Sequence, residues 1–208
     1  MIAGYHTQIT ERWPEEELHY KLNLLPQPLC NKIMAKRQHL DVQLSVTGYI
    51  MLLKLIDHFG LDLRLDDLQY GQYQRPFFAG GFDFNISHSG NRVICCGTTK
   101  GKLGVDVELM KPVTINYDDY FTAAEQQNIR AAKSPDALFF KYWTRKEAVL
   151  KAIGTGVYTP LLDIDVSDDE VHYGDEVYYL SSIDIAADFA GCLAYSVQQD
   201  IVLKKVIV

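Results

Sequence analysis

The sequence predicts an α+β fold made of two structurally similar halves, and three observations support this prediction. The chain has 208 residues, enough for one large domain or two small ones. A helix-rich segment up to residue 60 is followed by short strand-like runs that end near residue 109. The same order, helices and then strands, returns beyond that point. We therefore predict halves at residues 1–109 and 110–208, although no repeat is visible residue by residue.

The helices of the first half are predicted from the spacing of apolar residues and from stop signals. The segment from Pro14 to Leu25 is predicted to be a short helix that ends where Pro26 and Pro28 follow. Asp41 to Phe59 carries apolar residues at helical spacing, and Gly60 ends this second helix. Strands bounded by turn residues are then predicted at Asp83–Ile86, Arg92–Thr98 and Leu103–Glu108.

The second half begins with two helix-start signals. Thr122 and Glu125 are spaced as a capping box, in which each side chain bonds the other residue's backbone N–H. Ser134 and Pro135 form an N-cap and N1 pair for a helix that is predicted to run to Ile153, with Gly154 as its stop. The strands predicted after this helix are Ile164–Val166, Val171–Tyr173, Val177–Leu180, Cys192–Val197 and Ile201–Val206.

The composition argues against several classes of function. The net charge of −7 and the isoelectric point near 5.3 disfavour binding to a nucleic-acid backbone. No stretch reaches the ~18 apolar residues of a membrane helix, and the N-terminus lacks the pattern of a secretion signal. The four cysteines have no CxxC spacing and are predicted to be small buried side chains in a reducing compartment. We expect a cytoplasmic protein with neither a membrane nor a nucleic-acid partner.

A pair of carboxylates lies in the predicted strand Gly104-Val-Asp-Val-Glu108. On a strand, Asp106 and Glu108 project from the same face, whereas Val105 and Val107 face the other way, into a core. Two carboxylates held ~4–6 Å apart repel each other, and such a pair usually shares a proton or holds a cation. A solvated strand edge would show the same pattern, so this pair alone does not identify a site.

A stripe on the predicted long helix of the second half adds a further acid and a base. Trp143, Glu147 and Lys151 are spaced four residues apart and therefore lie along one side of that helix. A Glu followed by a Lys four residues later is most often an ordinary surface ion pair. The tryptophan on the same stripe argues against full exposure to solvent.

The run Phe84-Asn-Ile-Ser87-His88-Ser89-Gly90 brings two hydroxyls and an imidazole to the end of a predicted strand. A neighbouring Ser and His resemble a nucleophile and its base, but no GxSxG motif supports a hydrolase, and adjacent residues on a strand point apart. The hydroxyls, the imidazole and the glycine N–H can instead donate to phosphate oxygens. His88 can equally be a hydrogen-bonded structural histidine.

Together, three acids, a lysine and this turn describe a site for phosphate transfer with Mg²⁺. Mg²⁺ requires oxygen ligands, typically a few carboxylates with substrate phosphates and water. A zinc site would require thiolates or several histidines, and the six histidines of the chain show no ligand spacing.

Three motifs in this order resemble those of the Sfp-type (surfactin-type) 4′-phosphopantetheinyl transferases. FNISHSG resembles the family's (F/L)(N/S)xSHS turn, and GVDVE, which follows it, resembles the (I/V)G(I/V)D(V/I)E strand. WTRKEAVLK resembles the (F/W)xxKE(S/A)xxK helix. The resemblance spans residues 84–151 and implies two α+β halves related by a pseudo-twofold axis.

The resemblance implies a Mg²⁺-dependent enzyme. It would transfer the 4′-phosphopantetheine moiety of coenzyme A to a serine of an apo acyl or peptidyl carrier protein and release 3′,5′-ADP. Asp106, Glu108 and Glu147 would hold Mg²⁺ beside the pyrophosphate of coenzyme A. Lys151 would neutralise or protonate the leaving 3′,5′-ADP, and Glu147 or a magnesium-bound water would deprotonate the serine. The expected catalytic residues are therefore Asp106, Glu147 and Lys151.

The resemblance also implies contacts with the nucleotide of coenzyme A. Ser87 and His88 would contact its phosphates, with His88 near the 3′-phosphate. Arg75 stands before a proline, where the family often has a basic residue that touches the nucleotide. Lys32 lies in a stretch that often supplies a phosphate-binding lysine, and Lys151 would reach the same phosphates.

The chain departs from the family pattern at one coenzyme contact. Where family members often carry an Arg-Thr-like pair, this sequence has Leu44-Ser45. Ser45 keeps a hydroxyl for the coenzyme, whereas the arginine contact would have to come from Lys36 or Arg37.

Two other classes of function stay open at this stage. A non-catalytic module that binds coenzyme A or a carrier protein would not need both the three acids and Lys151. A different magnesium enzyme acting on phosphate esters, such as a phosphatase or nuclease, would use similar acids. We expect the transferase to be a monomer, because duplicated halves let one chain build a complete site, and we expect an apolar carrier contact in the Leu29–Leu40 region.

Overall fold

The computed structural model describes residues 1–156 and 158–208, and in that range it contains two four-stranded sheets and a two-stranded ribbon. The strands are β1 (Ile2–Gln8), β2 (Gln69–Tyr70), β3 (Pro76–Phe77), β4 (Asp83–Ser89), β5 (Arg92–Thr98), β6 (Leu103–Leu109), β7 (Glu170–Tyr173), β8 (Glu176–Ser182), β9 (Phe189–Tyr195) and β10 (Ile201–Lys205). The first sheet has the order β10-β1-β5-β4, and the second has the order β6-β9-β8-β7. Neighbouring strands are antiparallel, except that β1 and β10 are parallel.

Long helices cover one face of each sheet. The helices are α1 (Glu15–Leu22), α2 (Gln27–Met34), α3 (His39–His58), α4 (Ala123–Ala131) and α5 (Pro135–Ile153). The helix α3 packs on β1, β4 and β5 of the first sheet, and α5 packs on β6 and β9 of the second. No helix in the described part of the chain combines the length and apolar composition that a bilayer crossing requires.

The strand pairing shows the same topology twice. In the first unit, β1 is followed by α3 and the hairpin β4–β5, and β5 pairs with both β1 and β4. In the second unit, β6 is followed by α5 and then β8 and β9, and β9 pairs with both β6 and β8. Each unit therefore consists of a strand, a helix and a hairpin. This repeat confirms the predicted α+β fold of two similar halves.

Two strands pair with strands from the other side of the predicted boundary between residues 109 and 110. The strand β6 precedes that boundary but pairs with β9 of the second sheet, and β10 at the end of the chain pairs with β1 of the first. By strand pairing, the second unit begins at Leu103 rather than at residue 110. The sequence did not reveal this because a short turn joins β5 to β6 and makes them look like one continuing set of strands.

Three apolar cores hold these layers together. The first lies between α1–α3 and the first sheet, and the second lies between α4–α5 and the second sheet. The third joins the two sheets, with Ile94 and Cys96 on β5 packed near Val105 and Val107 on β6. Val105 and Val107 are almost fully buried, as the strand pattern predicted.

Local signals fixed the ends of the helices in the second half. The capping box is present, because Thr122 N–H donates to Glu125 and Glu125 N–H donates to the Thr122 hydroxyl. Gly154 ends α5 in the left-handed conformation with φ of 86°, which glycine adopts without steric cost. Ser134 stands at the N-cap of α5 as predicted, but its side chain makes no capping hydrogen bond.

Other elements differ from the prediction. The helix α2 was missed, because Pro26 and Pro28 stand at its N-cap and in its first turn, where proline starts a helix as readily as it ends one. The strand β1 was also missed, because it mixes small and polar residues and lies between two partners inside the first sheet. The predicted strand Ile164–Val166 is wrong, since this segment is irregular in the structure.

A fully buried ion pair explains that irregular segment. Lys146 and Glu125 both have no exposed surface, and the Lys146 Nζ lies 2.8 Å from the Glu125 carboxylate. The same ammonium group donates to the carbonyls of Leu161 and Ile164, and Glu125 accepts the N–H of Val166. Burial lowers the pKa of Lys146, and its contacts with Glu125 act in the opposite direction. Side chains of α4 and α5 thus replace strand pairing for residues 161–166.

Replacing Lys146 with methionine should therefore destabilise the fold, because Glu125 would be left charged and buried without its partner. We expect a loss of about 3–5 kcal/mol in the free energy of unfolding, measured by urea denaturation. The control is Arg130→Met, which breaks the exposed pair between Arg130 and Asp118 and should cost less than about 1 kcal/mol. Equal losses in the two variants would contradict this assignment.

Candidate active site

The site forms where β6 approaches α5 unusually closely. Gly104 permits this approach, since a Cβ atom at this position would lie 2.1 Å from the Ala148 carbonyl oxygen and 2.4 Å from the Ala152 nitrogen. The two residues after it alternate between the core and the helix, so Asp106 faces the same side as Gly104. The glycine of the GVDVE motif therefore brings the acidic strand against the last turns of α5.

Asp106 and Lys151 form the central contact of the site. The Lys151 Nζ lies 2.6 Å from Asp106 Oδ1 and also donates to the carbonyl oxygen of Val105. The hydroxyl of Ser87 donates to the same Oδ1 at 2.9 Å. Asp106 is 3% exposed, and its second oxygen, Oδ2, is buried with no hydrogen-bond partner among the described residues. One carboxylate oxygen is thus saturated and the other is left bare.

Glu108 and Glu147 surround this contact with further negative charge. Both are half-buried, Glu108 on β6 and Glu147 on the same side of α5 as Lys151. Burial raises the pKa of Glu147, and the charges of Asp106 and Glu108 raise it further. Burial also raises the pKa of Glu108, although its hydrogen bond from Ser89, at 2.6 Å, opposes the shift. The structure therefore brings together Asp106, Glu108, Glu147 and Lys151, which we call the acid cluster.

The donor set fits a hard divalent cation. Three carboxylates face one ammonium group, and the bare Oδ2 of Asp106 supplies an oxygen with no other partner in the described chain. No group of three acidic, histidine or cysteine side chains in the described residues is already arranged around one point. Mg²⁺ does not require such a cage, because it is commonly held by one or two carboxylates with substrate phosphates and water.

A separate cavity of about 240 Å³ opens on the first half, on the face of β4 that carries His88. Its lining includes basic groups, namely Lys32 and Lys36 from the α2 region and His88 from β4. It also includes Ser45 and Tyr49 of α3. A cavity lined by both cationic and apolar groups is suited to a phosphorylated ligand with an apolar or aromatic part.

Lys32, Ser45 and Lys36, which were considered as contacts to coenzyme A, line this cavity, but their polar groups are not equally available to a ligand. The Lys32 Nζ lies 4.2 Å from the centre of the Tyr70 ring, a cation–π contact that leaves its N–H groups available. The Ser45 hydroxyl is turned back to the Asp41 carbonyl at 2.7 Å, so its proton is already used within α3. Lys36, which was considered as a substitute for the missing arginine, does line the cavity.

His88 lines the cavity and is half-buried. Burial lowers its pKa, and the positive charges of Lys36 and Lys151 contribute to the same shift. Because neighbouring residues on a strand point to opposite faces, His88 faces the cavity while Ser87 faces Asp106. The two residues of the Ser-His pair therefore serve different parts of the site.

Arg75, which was predicted to touch the nucleotide, is hydrogen-bonded within the protein. Its guanidinium group forms two parallel hydrogen bonds with Asp83, at 2.7 and 3.0 Å. It also donates to the carbonyl oxygens of Lys151, at 2.8 Å, and Leu103, at 2.9 Å. Arg75 thus fastens the last turn of α5 to the start of β6, behind the acid cluster. The sequence could not show this, because the acceptors are mainly backbone carbonyls far away in the chain.

An apolar cavity of about 330 Å³ lies on the other side of Glu108. It is bounded by the segment from Lys111 to Ile115 and by Trp143 of α5. Trp143 stacks on Phe139 and meets the edge of Tyr120, so the tryptophan of the predicted helical stripe is packed rather than solvated. This cavity was not predicted from the sequence, although Trp143 of the helical stripe borders it.

Comparison with known proteins gives the same answer as the motifs. Residues 102–191 match the model of the 4′-phosphopantetheinyl transferase superfamily. A 4′-phosphopantetheinyl transferase from Bacillus subtilis is 30% identical over 151 residues, which are 66% of this chain and 67% of that protein. The 4′-phosphopantetheinyl transferase Sfp of Bacillus subtilis strain 168 is 32% identical over 103 residues, 48% of this chain and 45% of Sfp. These matches confirm the resemblance predicted from the three motifs.

The matches cover different shares of the relatives. The 4′-phosphopantetheinyl transferase AcpT of Salmonella typhimurium is 32% identical over 98 residues, 43% of this chain, and the chain spans 50% of that protein. Among solved structures, the holo-[acyl-carrier-protein] synthase of Thermotoga maritima matches with a TM-score of 0.36 and 18% identity. That match covers 45% of this chain and 61% of the synthase.

Replacing Gly104 with alanine should disturb the site through the backbone. The added methyl group would collide with the Ala148 carbonyl and force β6 and α5 apart, which should cost about 1–3 kcal/mol of unfolding free energy. The measurement is urea denaturation of the variant beside Gly71→Ala. A Cβ at Gly71 would meet its nearest atom at 3.7 Å, so this control should change stability little. A Gly104→Ala protein as stable as the control would show that the close approach is not required.

Proposed function

Because the chain belongs to the 4′-phosphopantetheinyl transferase superfamily, we propose that it transfers the 4′-phosphopantetheine moiety of coenzyme A to a carrier protein. The acceptor would be a serine hydroxyl of an acyl or peptidyl carrier, and 3′,5′-ADP would leave. One observation carries this proposal. The Asp106–Lys151 contact, with Glu108 and Glu147 around it, is linked through β4 to a cavity lined by basic groups, because Ser87 bonds Asp106 and the next residue, His88, lines that cavity. An acid cluster for a cation beside basic groups for phosphates suits a pyrophosphate-bearing substrate.

The cavity would bind the nucleotide part of coenzyme A. Lys32, Lys36 and His88 would contact the phosphate groups, which carry most of the charge of the ligand. Ser45 would line the cavity without donating a hydrogen bond to the ligand, because its hydroxyl already donates to the Asp41 carbonyl oxygen. Ser87 would act on the phosphates only indirectly, through Asp106 and Lys151. Arg75 would support this arrangement from behind.

The acid cluster would hold Mg²⁺ through Asp106, Glu108 and Glu147. When bound, the ion would draw negative charge off the pyrophosphate oxygens and help to orient the phosphate for attack. Lys151 is tied to Asp106 in this structure, and it would turn one or more N–H bonds toward the leaving phosphate when the substrate is present. These residues would supply positioning and electrostatic stabilisation, which dominate catalysis of phosphoryl transfer.

The reaction we propose is a single in-line displacement. The oxygen of the carrier serine attacks the phosphorus that bears pantetheine, and the bond from that phosphorus to the bridging oxygen of the pyrophosphate breaks. The serine proton passes to Glu147, a carboxylate of the acid cluster beside Asp106 and Glu108. The Lys151 ammonium neutralises the charge that develops on 3′,5′-ADP.

The carrier would approach from the side of Glu108. The apolar cavity formed by residues 111–115 and Trp143 borders that acid and can accept an apolar side chain of the partner. The region Leu29–Leu40, which was expected to provide this contact, exposes Met34 and Leu40 but borders the nucleotide cavity instead. An apolar contact suits a carrier with many acidic residues, because the transferase is acidic itself.

We also propose that the protein is active as a monomer and works in a reducing compartment. Both halves of one chain contribute to the acid cluster and the cavity, which supports a monomer as the active form. All four cysteines of the described chain are free and buried, which supports a reducing compartment such as the cytoplasm.

Replacing Asp106 with alanine tests the proposed function directly. The wild-type protein, incubated with coenzyme A, Mg²⁺ and an apo-carrier, should add one phosphopantetheine group to the carrier, detected by intact mass. Asp106→Ala should slow this transfer by about a hundredfold to a thousandfold or more, because it removes the buried carboxylate that orients Lys151 and the cation.

The matched control for this assay is Asp66→Ala. Asp66 is an exposed aspartate in a surface pair with Arg64, and its loss should leave the transfer rate unchanged. A thermal melt of both variants separates loss of chemistry from loss of fold. Undiminished transfer by Asp106→Ala would exclude this site, and failure of the wild-type protein on a panel of apo-carriers would exclude the proposed reaction.

The protonation of His88 tests the proposed nucleotide cavity. In the free protein, NMR titration should show a pKa of His88 below its ordinary value, because burial and nearby lysines disfavour the imidazolium form. Since the folded-state pKa is lowered, protonation of His88 as the pH falls through the ordinary histidine range makes the free protein less stable. Binding of 3′,5′-ADP should raise this pKa, because a nearby phosphate favours the charged ring. An unchanged His88 titration at saturating 3′,5′-ADP would place the phosphates elsewhere.

A further inference from the structure

The outer edge of β6 is bonded by side chains rather than by another strand. The strand β6 stands at the edge of the second sheet, so every second N–H group along it points away from its partner β9. Each of these groups donates to a polar side chain of β4. The four donor–acceptor pairs are Leu103 to Asp83 at 2.7 Å, Val105 to Asn85 at 3.1 Å, Val107 to Ser87 at 3.3 Å and Leu109 to Ser89 at 3.1 Å.

These four acceptors form a regular row, which we call the β4 row: Asp83, Asn85, Ser87 and Ser89. They are alternate residues, so they project from one face of β4, while Phe84 and Ile86 between them pack in the core under α3. Each acceptor is bonded by the residue exactly twenty positions later in the chain. The row therefore fixes the position of β6 along β4, and a shift of β6 by one residue would turn its carboxylates to the opposite face.

The two serines of the row make a second contact that Asp83 and Asn85 do not make with β6. Ser87 donates to Asp106 at 2.9 Å, and Ser89 donates to Glu108 at 2.6 Å. A hydroxyl has a single proton. Because each serine oxygen accepts from a backbone N–H of β6, its own proton is free to point to the neighbouring carboxylate. Each hydroxyl thus holds one acid of the cluster in a fixed direction.

We propose that Ser89 is a positioning residue for Glu108, and that it sets the orientation in which Glu108 takes part in binding the cation. This inference rests on the proposed function, because it assumes that the acid cluster holds a metal ion. Groups that hydrogen-bond to metal-ligating carboxylates orient them, and their loss typically weakens metal binding by about 10–100-fold. Ser89 is a clearer test than Ser87, since Ser87 also contacts Lys151 directly.

The alternative roles of Ser89 make different predictions. If Ser89 donated to a substrate phosphate, its proton would have to leave Glu108, and its removal would weaken binding of 3′,5′-ADP without any metal present. If Ser89 served only to fix β6, its removal would lower stability and leave the affinity for metal unchanged. The geometry favours a role toward Glu108, because the contact of 2.6 Å is the shortest that the Ser89 hydroxyl makes.

The experiment measures Mn²⁺ binding, as a probe for the Mg²⁺ site, by electron paramagnetic resonance in the presence of saturating coenzyme A. Ser89→Ala should weaken Mn²⁺ binding about 10–100-fold and raise the Mg²⁺ concentration needed for half-maximal transfer by a similar factor. The rate at saturating Mg²⁺ should change less. Ser89→Thr keeps a hydroxyl at the same position and should restore most of the affinity.

A matched control removes a serine hydroxyl away from the acids. Ser181 hydrogen-bonds Tyr195 within the second sheet, and Ser181→Ala should leave Mn²⁺ binding unchanged. Unchanged Mn²⁺ affinity in Ser89→Ala, or failure of Ser89→Thr to restore a lost affinity, would overturn the inference while leaving the proposed function intact. Absence of Mn²⁺ binding by the wild-type protein would overturn both the proposed metal site and the inference, and phosphopantetheine transfer by that protein would then be tested separately.

Discussion

The contact between Lys151 and Asp106 is the point on which the site depends. It joins the last turn of α5 to β6, and Ser87 extends it to β4 of the first sheet. Since Asp106 is buried, this ion pair exists only because Gly104 lets strand and helix approach within backbone contact. The pair uses one oxygen of Asp106 and leaves the other bare. Three acids, one ammonium group and a buried free oxygen form a site whose charge suits a cation.

The exchange of strands between the halves explains how one chain builds this site. Because β6 pairs with β9, its acids belong to the sheet that carries α5, and Glu147 and Lys151 face them. Because β4 remains in the first sheet, the cavity with His88 stays on the other side of the same boundary. The junction is held by side chains: the β4 row bonds the edge of β6, and Arg75 bonds both β6 and the end of α5. The acid cluster and the cavity are therefore linked through β4, within a single chain.

Two neighbouring charged residues of α5, Lys146 and Glu147, differ in burial and in their partners. Lys146 precedes Glu147 in the KEA motif, yet the two side chains point in different directions from α5, about 100° apart, and have different environments. Lys146 is wholly enclosed and paired with Glu125, which holds the segment after α5 in place. Glu147 lies half-buried in the acid cluster, where burial raises its pKa and the charges of Asp106 and Glu108 raise it further. One helix thus carries a fully buried, paired charge and, at the next residue, a half-buried acid of the cluster.

The sequence by itself determined the features that depend on local spacing. Helical periodicity located α3, the Ser134-Pro135 pair and Gly154 located α5, and the capping box marked the start of α4. Alternation along β6 placed Asp106 and Glu108 on one face. The motifs also selected Glu147, Lys151 and His88. Only the tertiary structure decided that Arg75 braces the site, that Lys146 is buried, and that β6 joins the second sheet. The physical reason is that these roles depend on hydrogen-bond and charge partners that lie far away in the chain, and residue spacing carries no information about such partners.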